Sequence, residues 1–309
     1  MSALDDVAAQ LGDRAKRSVP IGPMTTYRVG GAAALLVTID DEGDLAAVAA
    51  GVRGSGVAVL VVGKGSNLLV ADRGFDGVAV VLGAGFEHVE IEGTTARAGG
   101  AAALPVVARR TVATGLTGFE WAVGVPGSIG GAVRMNAGGH GSDMAASLAR
   151  VRVVDVANGD DGWMAASGLA LGYRRSSIAP TQVVVEAELR LARGDRAQAE
   201  AEIADIVRWR RENQPGGQNA GSVFANPDGD SAGRLIDASG CKGLRVGTAV
   251  VSDKHANFFI ADAGGRADDV HELMTVVQQR VLAVHGVRLD PETRLVGFDG
   301  HEPRLEVEG

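Results

Sequence analysis

The chain has 309 residues, 46% of them apolar and 22% charged, the balance of a globular protein long enough for a full core and for two or three domains. A net charge of −8 argues against a general nucleic-acid or anionic-membrane surface, since either needs a basic face to displace counterions. One cysteine, Cys241, excludes an internal disulfide and a cysteine-based metal site; with an acidic, signal-free start MSALDDVAAQ and no run of about 18 apolar residues, the expected location is cytoplasmic, without membrane insertion.

In chain order, Leu4, Val7, Ala8 and Leu11 share one face of a short amphipathic helix. The segment MTTYRVGGAAALLVTI follows, with Gly30-Gly31 leading into a strand-like apolar run. Residues 41–53 return to helical spacing through Leu45, Val48, Ala49 and Val52, and 57–62 reads as a buried strand. The resulting β-α-β unit runs into Gly63-Lys64-Gly65-Ser66-Asn67 and a further strand at 78–82. From 83 onward, short alternating strands separated by glycine open a new, β-rich unit.

Leu104, Val107, Ala108 and Val112 mark a helix stopped by Gly115, before the glycine-rich stretch 118–144. Strands follow at 151–156 and 183–191. A charged helix over about 195–212, with Ile203, Ile206 and Val207 inward, bridges to a last unit. That unit holds the loop GSVFANP, a helix ending at Gly240, strands near 244–251 and 257–261, and a helix over 268–285 with Val270, Leu273, Met274, Val277, Val281 and Val284 on one face.

Glycine is the compositional anomaly. Forty-five glycines are roughly twice the average share and carry no collagen period, so tight turns and close backbone approaches are expected. VVGKGSNLLV puts small residues directly after a buried strand, where backbone N–H groups can form an anion nest. It lacks both the Walker A and the GxGxxG spacing, which removes the main support for kinase, GTPase and Rossmann readings; an ordinary turn with an exposed Lys64 is the plain alternative. In VGVPGSIGGAVRMNAGG, Pro126-Gly127-Ser128 and Gly130-Gly131 follow in quick succession in apolar surroundings. Backbone approach to a flat or phosphorylated cofactor explains that run economically.

Four further positions carry chemistry. Ser222 stands behind Gly221 in a loop bounded by Pro215-Gly216-Gly217 and Asn226-Pro227, irregular backbone that a ligand can approach. Tyr173 and Arg174 lie at a strand end, where a guanidinium can grip a carboxylate bidentately. Glu292 follows Pro291, where a glutamate is commonly a cap or a surface charge. Of only four lysines beside 26 arginines, Lys64, Lys242 and Lys254 all fall in polar or glycine-rich loops. Codon bias explains the scarcity but not the placement.

The ordered set TTYRVGG, VVGKGSNLLV, GVPGSIGGAVRMNAG, GYRRSS, NAGSVFANP, KGLRVGTAVVSDKHANFFI and PETRLVG resembles the UDP-N-acetylenolpyruvoylglucosamine reductase (UDP-N-acetylmuramate dehydrogenase) family across residues 20–298. The resemblance implies an α+β protein: a two-part FAD-binding region of the vanillyl-alcohol-oxidase type, 1–82 and 83–195, followed by a C-terminal α/β substrate-binding domain, 196–309. It implies non-covalent FAD, NADPH as hydride donor and UDP-N-acetylglucosamine enolpyruvate as substrate, without metal or nucleic acid. Ser222 matches the family's proton donor, and Arg174 and Glu292 its two other active-site positions. Glu292, if protonated, could hydrogen-bond to the substrate carboxylate that Arg174 binds.

The same resemblance assigns Gly63, Lys64, Gly65, Ser66, Asn67 and Leu68 to the flavin pyrophosphate, and Pro126, Gly127, Ser128, Gly130 and Gly131 to the flavin and its phosphates. Tyr173, Asn226, Lys242 and His255 become substrate or nucleotide contacts, and the lysines local cations for a diphosphate sugar. His140 and Cys241 depart from the family pattern and are expected to pack or lie at the surface. The short link from Tyr173 to Ser222 resembles the form without an extra tyrosine-bearing loop. A silent flavin-binding module would not need Ser222, Arg174 and Glu292 together, and an alcohol oxidase would have no use for Ser222.

Overall fold

The computed structural model describes residues 2–299. They form two compact units, neither continuous in sequence: residues 2–17, 34–64 and 77–210, and residues 18–33, 65–76 and 211–299.

The first unit opens with the helix Ala3–Leu11, whose Ser2 and Asp5 cap one another reciprocally and whose Val7 and Leu11 are buried. The helix Glu42–Val52 starts where the Asp41 carboxylate accepts from the Asp44 amide at 2.8 Å. It buries the expected Leu45, Val48, Ala49 and Val52. Val59–Val61 pairs in parallel with Phe75–Leu82, with Leu60 opposite Ala79. Phe75–Leu82 lies between it and Ala32–Ile39, so the two strands that flank the helix are in one sheet but are not neighbours. These elements share a core with Leu35, Val37, Ile39, Val154 and Val183.

A five-stranded antiparallel sheet fills the rest of the unit, in the order Asp161–Ala165, Leu148–Asp155, Gln182–Arg190, Thr95–Gly99, Val89–Glu92. Its apolar face packs a second core with the helices Leu104–Ala113 and Ile129–Met135. Ala199, Ile203 and Ile206 of the helix Arg196–Asn213 join this core. Val207, read as inward, is 43% exposed. Its neighbour Ile206 already fills the inward position, and one step along a helix turns a side chain about 100° away.

In the second unit, the antiparallel sheet Arg245–Val246, Ala249–Val251, Phe259–Ala261 packs on the helix Ala267–His285. That helix buries Val270, Leu273, Met274, Val277 and Val281, while Val284, expected on the same face, is 57% exposed in the last turn before Gly286. Leu68–Val70 pairs in parallel with Arg294–Val296. Gly30 has a local reason: a β-carbon there would stand 2.1 Å from the Val70 carbonyl oxygen. Only a residue without a side chain lets segment 18–33 lie against 65–76. Among the described residues no helix is long and apolar enough to cross a membrane.

Candidate active site

In the first unit the two glycine-rich stretches meet. The strand Val59–Val61 hands over through the Val62 amide, which donates to the Val80 carbonyl at 2.8 Å, to Gly63. A β-carbon on Gly63 would lie 2.6 Å from the Ser128 hydroxyl oxygen, so glycine is what lets 62–64 and 126–131 touch. Ser128 is buried and caps the helix Ile129–Met135, accepting from the Gly131 amide at 3.4 Å. The Gly127 carbonyl accepts from the Leu104 amide at 3.0 Å and the Gly130 amide donates to the Gly100 carbonyl at 2.9 Å, while Pro126 and Gly131 are exposed. The loop is thus fastened from behind, its tip left open. Lys64 reaches Glu87 at 2.8 Å, so its charge is already paired.

The helix Ile129–Met135 ends on Asn136, in the left-handed region at φ 38°. The Asn136 amide nitrogen donates to the Gly172 carbonyl at 3.0 Å and to Asp143 Oδ2 at 3.1 Å, and its oxygen accepts from the Ala145 amide at 2.9 Å. This one side chain ties the glycine loop to the turn carrying Tyr173 and Arg174. Arg174 sits at φ 54°, uncommon for a residue with a side chain. Its guanidinium donates to the Gly138 carbonyl at 3.2 Å and lies 5.2 Å from the centre of the Tyr173 ring, which is 61% exposed. Held at a strained turn by backbone bonds on both sides, Arg174 has the geometry of a positioned cation rather than a solvated one.

In the second unit Ser222, Glu292 and Asn67 come together. Gly221 is at φ 79°, and Ser222 makes an isolated bridge to Phe258. Asn257, buried, holds the loop: its side chain accepts from the Phe224 amide at 3.0 Å and donates to the Phe224 carbonyl at 2.8 Å, and its own carbonyl accepts from the Val223 amide at 2.9 Å. The Val223 carbonyl receives the amides of Glu292 at 2.8 Å and Thr293 at 3.2 Å. Asn67 then donates its side-chain amide to the Glu292 carbonyl at 3.1 Å, and its carbonyl accepts from the Arg294 amide at 2.9 Å. Gly65 packs on Met24 and Thr25, Ser66 is half-buried, and Leu68 is buried opposite Arg294.

Asn226, Lys242 and His255 gather instead around the helix Ala232–Ala238. The Asn226 side-chain oxygen accepts from the Ala232 amide at 3.0 Å, and Lys242 pairs with Asp237 at 2.7 Å. His255 stands edge-on to Phe258 at 4.7 Å, near Gly233. Burial lowers the pKa of His255, and the Lys242 charge lowers it further. Lys254 donates to the Arg211 carbonyl at 2.7 Å. Cys241 is fully buried, and burial raises its thiol pKa. His140, at the surface, is edge-on to Trp209 at 5.2 Å.

Sequence reasoning missed Asn136 and Asn257, which hold these loops in place. A polar amide inside an apolar or glycine-rich run, as in RMNAGG and HANFF, was the available signal.

A ligand-facing role for these loops agrees with their orphaned polar atoms. Thr26 Oγ1 and Thr293 Oγ1 are buried with no protein partner, and the Thr26 amide donates to Gly65 at 3.1 Å. Open glycine backbone in the first unit and, in the second, two unspent hydroxyls are each groups that suit a phosphorylated ligand.

The comparisons agree. Residues 33–160 match the family model described as FAD binding domain, and residues 213–296 the model described as UDP-N-acetylenolpyruvoylglucosamine reductase, C-terminal domain. The UDP-N-acetylenolpyruvoylglucosamine reductase of Granulibacter bethesdensis is 39% identical over 97% of each chain, and that of Heliobacterium modesticaldum 41% over 91% of this chain and 90% of that one. The crystal structure of the enzyme from Thermus caldophilus superposes with a TM-score of 0.80 at 34% identity, covering 92% of this chain and 99% of that one.

The α+β fold with its FAD binding domain, and the relatives it matches, define a flavin-dependent oxidoreductase that uses FAD and draws electrons from NADPH. The chain belongs to the UDP-N-acetylenolpyruvoylglucosamine reductase family.

Proposed function

We propose that the chain reduces UDP-N-acetylglucosamine enolpyruvate to UDP-N-acetylmuramate for peptidoglycan precursors, in the cytoplasm, with Ser222 as proton donor and Arg174 and Glu292 as its helpers. The observation carrying this reading is the junction at Val223, which fixes Ser222 and Glu292 on either side of one carbonyl and links both to Asn67.

FAD, when bound, supplies the two-electron relay from NADPH to the enolpyruvyl double bond. The chain's residues do the rest. As the β-carbon is reduced, negative charge develops towards the carboxylate and the adjacent carbon needs a proton. Ser222 gives it. A serine hydroxyl is a weak acid, so it serves only when well placed and when the developing charge is held. The Arg174 guanidinium binds the carboxylate and stabilises that charge, and the Glu292 carboxyl, in its acid form, donates a hydrogen bond to the same group. Lys242, Asn226 and His255, gathered round one short helix, take the nucleotide part of the substrate. Gly63 to Leu68 and Pro126 to Gly131 take the FAD.

We assign 1–82 and 83–195 to two FAD-binding subdomains and 196–309 to substrate; the apolar cores cross these bounds, since Val154 and Val183 pack with the first part and Tyr27, Val29, Leu69 and Ala71 with the last. Anaerobic stopped-flow absorbance on wild type and Ser222→Ala tests the assignment. In the variant, NADPH bleaches the flavin at the wild-type rate while the enolpyruvyl substrate fails to restore its colour. Normal re-oxidation by Ser222→Ala removes Ser222 from the role.

A further inference from the structure

Arg294 begins the strand Arg294–Val296, opposite Leu68 in the parallel pair with Leu68–Val70. Alternation along the two strands sends Leu69 and Leu295 into the apolar core of the second unit, which leaves Leu68 and Arg294 on the opposite face. The Arg294 backbone is tied to Asn67, inside the loop assigned to the flavin. Its guanidinium is half-buried, and burial lowers its pKa with no anion opposing the effect. Among the described residues it has neither a carboxylate nor a carbonyl partner.

Several other cations are paired, and Arg28, in the segment of Thr26, is exposed to water. Lys64 is on Glu87, Lys242 on Asp237, Lys254 on the Arg211 carbonyl and Arg266 on Asp72 and Asp268. A guanidinium withdrawn from water without a counter-ion is unfavourable unless a ligand anion completes it. A second observation points the same way: Thr293, the residue before it, and Thr26, bonded to Gly65, each bury a hydroxyl with no protein partner.

We propose that Arg294 is a cation kept for an anionic group of FAD, either the diphosphate or the negative charge the ring acquires on reduction. NADPH passes two electrons and one proton to the flavin and leaves as NADP⁺; the reduced ring then carries one negative charge until a second proton arrives. A fixed guanidinium favours either anion, and its planar fork suits both better than a lysine point charge. The inference rests on FAD as cofactor and is independent of the proton-donor role of Ser222.

The test uses holoenzyme of wild type, Arg294→Gln, Arg294→Lys and Arg294→Met, the last as a neutral variant of similar length should glutamine disturb folding. Flavin fluorescence on dilution reads the dissociation constant of FAD, and anaerobic equilibration with a reference dye reads the midpoint potential. If the partner is the diphosphate, FAD binding weakens at least tenfold in the neutral variants with the potential unchanged. If it is the reduced ring, binding of oxidised FAD holds, and the potential falls by about 30 mV for each tenfold loss of preference for the reduced form. Arg294→Lys recovers part of either effect. Wild-type values for both quantities in a folded neutral variant overturn the proposal, as does a rise in KM for the enolpyruvyl substrate alone. Ser222→Ala leaves both readouts at wild type, so the two assignments fail separately.

Discussion

The side-chain amide of Asn67 donates to the backbone carbonyl of Glu292 at 3.1 Å across 225 residues of sequence. The residue that closes the glycine loop therefore sets the backbone of the turn on which the carboxylate stands. Asn67→Ala leaves that carbonyl without its protein donor and releases the turn. Expected outcomes are a loss of about 1–2 kcal/mol in urea unfolding, typical of one lost bond to a part-buried group, and a fall in kcat larger than any change in NADPH-driven flavin bleaching. Asn67→Asp, which keeps the shape but cannot donate, should behave like alanine.

Gly63 and Ser128 offer a paired test. Gly63→Ala puts a methyl 2.6 Å from the Ser128 oxygen, closer than real contacts allow. The protein should be purified with less than a tenth of its flavin. Adding Ser128→Ala removes the obstructing oxygen and leaves the Ser128 β-carbon at 3.8 Å, an ordinary contact, so the double variant should recover flavin that the Gly63 variant lacks. The absorbance ratio of bound flavin to protein reads it directly. If the double variant is no better than the single, the two loops do not touch as described.

Much of this arrangement was legible in the chain, and the illegible part has a common cause. Helix faces in Ala3–Leu11 and Glu42–Val52 follow from spacing because a helix repeats locally. The pairing of Leu68–Val70 with Arg294–Val296 does not, because no local pattern names a partner so far along the chain. For the same reason, nothing in TTYRVGG indicates that 18–33 groups with 211–299. The lysines carry a similar lesson. Their loops were evident, yet Glu87 and Asp237, which neutralise Lys64 and Lys242, are recognisable only once the chain is folded.

Asn257 holds both the amide and the carbonyl of Phe224, which is itself buried. Asn257→Ala strands two backbone groups away from water, costing about 2–4 kcal/mol in unfolding free energy. Activity per folded molecule should fall as well, since Val223, next to Ser222, loses its rigid neighbour. Urea unfolding and active-site titration separate the two effects. Asn257→Asp restores the acceptor alone and should recover less than half of the stability.

His255 makes stability depend on pH. Its pKa in the folded protein is lowered, chiefly by burial and further by Lys242, so the unfolded chain binds the proton more readily. The stability this neutral histidine contributes is fully present above the unfolded pKa of about 6.5. It is lost as pH falls from there through the folded pKa, and the loss levels off below it. Thermal melts between pH 5 and 8 should show wild type weakening on acidification, and His255→Gln weakening less. His140, also lowered by burial and by Arg210, accounts for part of the slope that remains. An identical slope in wild type and His255→Gln removes His255 as the cause.

Arg174 separates folding from chemistry most cleanly. At φ 54° its backbone lies where a residue with a side chain pays about 1 kcal/mol or more. Arg174→Gly removes that strain but frees the unfolded chain by a comparable amount, so the two nearly cancel. The guanidinium contact to Gly138, one long bond at 3.2 Å to a part-buried carbonyl, adds little. The glycine variant should therefore unfold within about 1 kcal/mol of wild type, while Arg174→Ala, which loses the contact and keeps the strain, should be the less stable. If Arg174 holds developing negative charge, both variants lose about 10²–10³ in turnover, the scale of removing one preorganised donor. Arg174→Lys, with a point charge in place of a fork, should fall between them and wild type. A loss of more than about 2 kcal/mol in both variants would mean that the turn depends on the side chain, and Arg174 would then be structural first.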